Sequence, residues 1–445
     1  MNRVDKEVDN HKLVPQVDAP RVAISIDELD IPQTVVENLV LKHLSAYPKS
    51  DVLHLVRLLG INSHIIEELL ALLRKKSHVE VFQSEQYSQS STNSHVRYAL
   101  SELGNIAADS AFQKDPYLGP VPVSLSEYKR IVESQDLRLN AISKTALETA
   151  FNDVHGAERL VSTLGPAINS GRALLLYGDA GTGKSFVAVR LLNALNTSVY
   201  IPYAVYASGN TVKVFSEQHH HIIDHNHVND TCHFKLQYDR RWILCERPNV
   251  QVGGELTMDM LEVNHTEHNR VWMAPLQMMA NNGILIIDDL GRQPMPVTTL
   301  LNRWIVPMEY GFDYLSLPNG QQITIPFTLT LAFSSNLSPQ EIADPAFLRR
   351  LGYKVQFTAL LQSEYRELWE WVASSVDITL PEETYNKLYE LHHTSHVEYL
   401  PCLPKDLAGI CRDIVTFEEL TPWVTPSIID RAWALYFTND EQQGG

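Results

Sequence analysis

Cysteine is scarce in this chain. Four residues, Cys232, Cys245, Cys402 and Cys411, are scattered over 445 positions. That number and spacing exclude a disulfide framework as the source of stability. Long apolar runs are missing too. No uninterrupted stretch is long enough to cross a bilayer, and the N-terminal MNRVDKEVDNHKLVPQ contains no signal-peptide core. The expectation is therefore a cytoplasmic protein without membrane insertion. Positive charge is in deficit: 36 lysines and arginines face 53 aspartates and glutamates, a formal net charge of −17. A chain this acidic does not wrap nucleic acid over its whole surface, although local basic patches are compatible with the balance. The apolar fraction of 44% is ordinary for a globular protein, and the length implies two or three domains with ample core.

Against these absences stands one dense motif, Gly178-Asp179-Ala180-Gly181-Thr182-Gly183-Lys184-Ser185, which fits G-x-x-x-x-G-K-[ST] at every fixed position. Ala173-Leu174-Leu175-Leu176-Tyr177 before it reads as a buried strand, and Phe186–Leu192 after it reads as a helix start. That context distinguishes a phosphate loop from a chance glycine-rich turn. The glycines let successive N–H groups turn inward around phosphates. Lys184 is placed to reach the β- and γ-phosphates of ATP, and the Ser185 hydroxyl to reach Mg²⁺.

A second apolar strand, Gly283-Ile284-Leu285-Ile286-Ile287, ends in Asp288-Asp289. Ligands bind at the carboxyl ends of strands in open α/β sheets, so the two acids fall where a nucleotide site needs them. Asp288 would hold Mg²⁺, through water, and Asp289 would orient and deprotonate the attacking water. A third strand, Thr328–Ser335, ends in Asn336, and Ala346-Phe347-Leu348-Arg349-Arg350 follows.

Phosphate loop, strand-Asp-Asp, strand-Asn and helix-Arg-Arg, in this order, resemble the AAA+ ATPases. The resemblance implies an α/β P-loop NTPase fold: a parallel sheet flanked by helices, a C-terminal helical lid and ATP with Mg²⁺ as cofactors. It assigns Asn336 as the sensor 1 residue and Arg350, or else Arg349, as an arginine finger for the neighbouring subunit's site. The chain departs from the usual family pattern in carrying Asp-Asp where most members have Asp-Glu. Asn319-Gly320 between two alternating runs is a strong hairpin signal. A hairpin just before the sensor strand resembles the presensor-1 insertion of MoxR-type ATPases, magnesium-chelatase subunits and sigma-factor activators. Ala280-Asn281-Asn282-Gly283 resembles the A-x-x-G of the same branch. In the expected lid, Lys405 of Leu403-Pro404-Lys405-Asp406-Leu407 stands at the sensor 2 position, with Arg412 as its rival. The resemblance covers roughly residues 140 to 440.

The chain then divides, by expectation, into a flexible leader (1–30), a winged-helix-like domain (31–112), a linker (113–139), the ATPase core (140–357) and the helical lid (358–445). The winged-helix-like reading rests on three helical stripes and two short strands, Val79–Phe82 and Val96–Leu100. The third helix exposes His64, Glu67 and Glu68, with Arg74-Lys75-Lys76 only at its far end. That balance favours protein docking over base readout.

Between Val199–Tyr203, taken as the second core strand, and Asp288 lies an insertion longer than a family core needs. It carries His219, His220, His221, His225, His227, Cys232, His233 and Cys245, and His221 with His225 have H-x₃-H spacing. Zinc is one reading; with no C-x₂-C pair nearby, a solvated loop is the stronger. Gly209 near Tyr206, and Gly253-Gly254, mark either substrate-gripping pore loops or tight turns, the latter favoured. The leading expectation is a homo-oligomeric AAA+ ATPase, a hexameric ring by resemblance, that remodels a protein partner. The alternative is an ATP-dependent transcriptional or DNA-handling factor with its N-terminal module on nucleic acid. The absence of a G-A-F-T-G-A loop weakens the activator form of that alternative.

Overall fold

The uninterrupted apolar runs become strands buried on both faces, as parallel sheets require. In the computed structural model, which describes residues 19–83, 96–139, 142–152, 154, 157–191, 197–223, 238–265 and 270–437, the chain forms two units that alternate along the sequence. The first comprises Met1–Ala141, Asn196–Leu285 and Pro294–Thr330; the second comprises Ile142–Leu195, Ile286–Gln293 and Leu331–Gly445.

The second unit holds most of a sheet in which strand Leu174–Tyr177 lies between Tyr353–Gln356 and Thr330–Ser335, parallel to both, with Ile284–Ile287 next to Thr330–Ser335. Leu174, Leu175 and Leu176 are fully buried, as are Leu285, Ile286 and Ile287. Helices Ala157–Ser170 and Lys184–Arg190 flank the strands. The C-terminal segment is helical: Gln362–Ser375, Glu382–Thr394, Cys402–Phe417 and Pro426–Tyr436. Their apolar stripes close over Trp369, Leu388, Leu407, Ile429 and Trp433. The fold class is α/β, a parallel sheet flanked by helices with a helical C-terminus.

In the first unit, helices Gln33–Ala46, Val52–Leu59 and Ser63–Lys75 are followed by an antiparallel ribbon, Val79–Gln83 with Val96–Leu100. Their ends carry ordinary helix-boundary residues. Asp51 and Asn62 cap the second and third helices, and Gly60, at φ 69°, ends the second. A further helix, Glu102–Lys114, capped by Ser101, went unread in the sequence.

Several boundaries differ from expectation. Of the leader, residues 1–18 lie outside the described part, but Ala23, Ile26 and Leu29 are buried in the core of the three helices. They stand three apart, but over so short a stretch, of which only Asp27–Leu29 is helical, that a periodicity reading does not register them. The stretch 113–139 is not a free linker. Val123–Ser124 pairs with Val205–Tyr206, and helix Leu125–Ser134, capped by Ser124, buries Tyr128, Ile131 and Val132. Nor is 140–357 one body, because 196–285 and 294–330 belong to the first unit. Strand Ser198–Pro202 pairs antiparallel with Trp242–Glu246 and is not a strand of the parallel sheet. Its apolar residues look alike in either setting, and only the partner decides.

Candidate functional site

Residues 178–185, 288–289, 336, 349–350 and 405 all belong to the second unit. The loop leaves strand Leu174–Tyr177 at Gly178, whose φ is 137°; a Cβ there would meet Phe357 O at 2.1 Å. No other residue fits that close approach. Gly181, at φ 80°, is as confined: a Cβ would stand 2.5 Å from Cys402 Sγ. The Cys402 N–H, opening helix Cys402–Phe417, donates to Gly181 O at 3.2 Å. In a trans peptide the carbonyl and the following N–H point opposite ways, so this bond turns the Thr182 N–H away from Cys402. Thr182 is buried, and its Oγ1 donates to Asp179 O at 2.7 Å.

Lys184 begins helix Lys184–Arg190 and is 7% exposed. Its Nζ donates to Gly178 O, Asp179 O and Asn336 Oδ1, each at 2.8 Å. Burial pulls the ammonium below its ordinary pKa, while the charges of Asp288, Asp179 and Asp289 work in the opposite direction. The loop lysine and the asparagine of the third strand are thus in direct contact, with both acids of the second strand near enough to act on the charge. Ser185 is half-buried in the helix's first turn.

Asp288 and Asp289 follow strand Ile284–Ile287 and are half-buried. Asp288 Oδ1 accepts the Asp289 N–H at 3.0 Å. Asp289 adopts φ 49°, and its carboxylate pairs with Arg292 at 3.7 Å. Arg349 and Arg350 follow the short helix Pro345–Leu348, capped by Asp344. Arg349 is exposed; Arg350 is half-buried and donates from Nη1 to Ala346 O at 2.9 Å. Lys405 and Arg412 are both exposed on helix Cys402–Phe417, Lys405 one turn beyond the residue that touches the phosphate loop.

The loop fits a nucleotide on the structure's own terms. Its two confined glycines leave no room for side chains, its lysine is held at the strand ends, and a hydroxyl and a carboxylate supply the hard oxygen donors Mg²⁺ prefers. Among the described residues no three His, Cys, Asp or Glu side chains are grouped to hold a metal. His225, His227, Cys232 and His233 lie outside the described residues. His220 is committed elsewhere: Nδ1 accepts the Ser216 N–H at 3.0 Å and Nε2 donates to Met279 O at 2.9 Å. Cys245 is fully buried, and burial pushes its thiol up to about 12.

Elsewhere, Phe312–Ser316 and Gln322–Pro326 form the antiparallel hairpin that Asn319-Gly320 signals. Ser208-Gly209 closes a two-residue turn between Ala204–Ala207 and Asn210–Lys213. Sequence reasoning missed Cys402, Arg292 and Gln293. Nothing in the local pattern marks Cys402 as a neighbour of Gly181. Arg292 and Gln293 did carry a signal, their place directly after Asp-Asp-Leu-Gly.

Residues 361–435 match a family described as a domain of unknown function, DUF8689. No curated protein matches the chain. Among solved structures, NtrX from Brucella abortus in complex with ADP is similar with a TM-score of 0.39 at 12% identity, over 73% of this chain and 58% of that one. A point mutant of Thermotoga maritima RuvB gives 0.39 at 15%, over 66% and 73% of the two chains. The Thermotoga maritima RuvB Holliday junction branch migration motor gives 0.35 at 14%, over 68% and 72%. The chain thus spans 58% of the length of NtrX. No helix among the described residues is long and apolar enough to cross a membrane.

Proposed function

We propose that this chain is an ATP-binding and ATP-hydrolysing protein of the AAA+ class, in its presensor-1 hairpin branch, that works as a homo-oligomer on a protein partner. The observation that carries the reading is Lys184 Nζ, 2.8 Å from Asn336 Oδ1, at the ends of adjacent strands, with Asp288 and Asp289 acting on its charge. Lys184 orients the terminal phosphates, and the loop N–H groups donate to their negatively charged oxygens. Ser185 and Asp288 would hold Mg²⁺, which neutralises charge developing on the phosphate oxygens. Asp289 takes the proton of the attacking water, and Asn336 fixes that water's position. Arg350, or Arg349, stabilises the transition state in a neighbouring copy's site. The N-terminal helices and ribbon recruit the partner; their third helix exposes Glu67 and Glu68, which disfavours DNA.

Two variants test this. Lys184→Ala should abolish or severely weaken binding of a fluorescent ATP analogue. Asp289→Asn should keep ATP bound but unhydrolysed, and affinity capture with that variant should retain a protein partner. Rapid turnover by Asp289→Asn removes it from the base role. Strong, salt-dependent binding of duplex DNA by the full chain would replace the protein partner with nucleic acid.

A further inference from the structure

The turn that presents Asp288 and Asp289 is clasped by a side chain from beyond it. Gln293 is 7% exposed. Its Nε2 donates to Asp288 O at 3.0 Å and Asp289 O at 3.4 Å, and its Oε1 accepts the Gly291 N–H at 2.9 Å. Between those anchors Asp289 has φ 49° and Gly291 φ 113°. Side chains other than glycine rarely adopt positive φ, and the conformation persists only where surrounding contacts over-determine it. The adjacent strand contributes part of that constraint: Leu290 N–H donates to Ser334 O at 2.8 Å, and Ser335 Oγ to Leu290 O at 3.1 Å. Those bonds fix Leu290 alone. The Asp288 carbonyl and the Gly291 N–H on either side of it are met by Gln293.

We propose that Gln293 is a positioning residue for the acidic pair. Its primary amide holds the 288–291 turn in the left-handed form and so sets the direction in which the Asp288 and Asp289 carboxylates leave the strand. Only an amide presents donors and an acceptor from one short planar head. The Asp288 carboxylate is tied to the start of the same turn, because its Oδ1 accepts the Asp289 N–H at 3.0 Å. This inference deepens the ATPase reading and rests on it for its consequence, though not for the clasp itself.

The test compares full-length wild type, Gln293→Ala and Gln293→Glu. In the nucleotide-free protein, Gln293→Ala should speed hydrogen exchange of the Gly291 amide by about tenfold or more, the loss expected when a bonded amide opens to solvent. Metal-free ATP affinity, which depends on Lys184, should hold. The gain in ATP affinity on adding Mg²⁺ should shrink by about tenfold, and kcat should fall roughly 10- to 100-fold, as displacement of a reacting group by an ångström does. Gln293→Glu separates positioning from folding. Its ionised form keeps an acceptor for Gly291 but faces two carbonyls without a donor, whereas the protonated acid regains one O–H. Its activity relative to wild type should therefore rise as pH falls, a dependence that a bulk structural role would not impose. Wild-type Mg²⁺ coupling in Gln293→Ala, together with unchanged Gly291 exchange, would overturn the proposal. If the wild type binds no ATP, the ATPase reading fails, while the exchange measurement still decides the clasp.

Discussion

Gly181 shows how much a single missing side chain can matter. Its φ of 80° is one that a Cβ-bearing residue occupies at a cost of roughly 1–2 kcal/mol. The second obstacle is steric, since a Cβ would sit 2.5 Å from Cys402 Sγ and 3.5 Å from Cys402 Cβ. Gly181→Ala should weaken ATP binding by about tenfold or more, the two penalties acting together. Cys402→Ala alone should change binding little, because the N–H that holds Gly181 O is a backbone group. The double variant should recover the steric part and retain the conformational part. Titration of the four proteins gives the coupling energy directly. Equal losses in the single and double variants would mean that helix Cys402–Phe417 does not touch the loop in solution. Both glycine confinements lie in contacts with residues far along the chain, so the motif alone announces the loop but not what shapes it.

At the scale of elements, the helical C-terminus contains a buried titratable group whose sign is clear. His392 is 3% exposed, donates from Nδ1 to Val397 O at 2.9 Å and accepts from Tyr365 Oη at Nε2, also at 2.9 Å. Trp433 lies edge-on at 4.8 Å between ring centroids. Burial lowers its pKa from 6.5 to about 4, against a smaller opposing effect of the Val397 carbonyl. A depressed folded-state pKa means that the unfolded chain binds more protons in that window. The stability that His392 contributes is present above pH 6.5 and is lost as pH falls towards 4, on the order of 3 kcal/mol in all. Calorimetric melting between pH 7 and 4 should show this loss. His392→Gln should melt lower at pH 7 but lose less on acidification; an unchanged slope would assign the acid sensitivity elsewhere.

The same helices were legible in the sequence because their stripes repeat at helical spacing: Trp369, Leu407 and Ile429 all lie on the faces that periodicity marks. The phosphate-loop strand and the acidic strand were legible because continuous burial and a fixed motif coincide. Ser198–Pro202 was misplaced because apolar composition does not reveal a partner, and its partner, Trp242–Glu246, lies within the insertion. Helix Leu125–Ser134 was hidden by Pro116, Pro120 and Pro122, although Ser124 and Glu127 are ordinary start signals. In the site, the identities of Lys184, Asp288 and Asn336 were readable, whereas the left-handed turn at Asp289 was not, and its clasp by Gln293 was marked only by that residue's place just after Asp-Asp-Leu-Gly.

For the whole molecule, the open question is whether one copy's site is complete. Asp288, Asp289 and Asn336 follow strand ends of one sheet, and Lys184 and Ser185 open the helix that the loop from a third strand leads into. Arg349 is exposed, beyond a separate short helix, and Arg350 adjoins it. An arginine acting on a neighbouring copy predicts a specific pattern. Arg350→Ala should bind ATP with near wild-type affinity yet lose turnover by roughly 10³-fold, the lower end of what such arginines supply. Asp289→Asn should be equally inactive for a different reason. When the two inactive proteins are mixed in equal amounts, an interface that pairs an intact Asp289 with an intact Arg350 arises in about a quarter of cases, one half times one half, if assembly is random and head-to-tail. Turnover in the mixture should rise to that order of the wild-type rate and should fall on dilution as the assembly dissociates. A mixture as inactive as its parts, under conditions where light scattering shows that assembly occurs, assigns Arg350 to its own subunit and leaves Arg349 as the residue to exchange next.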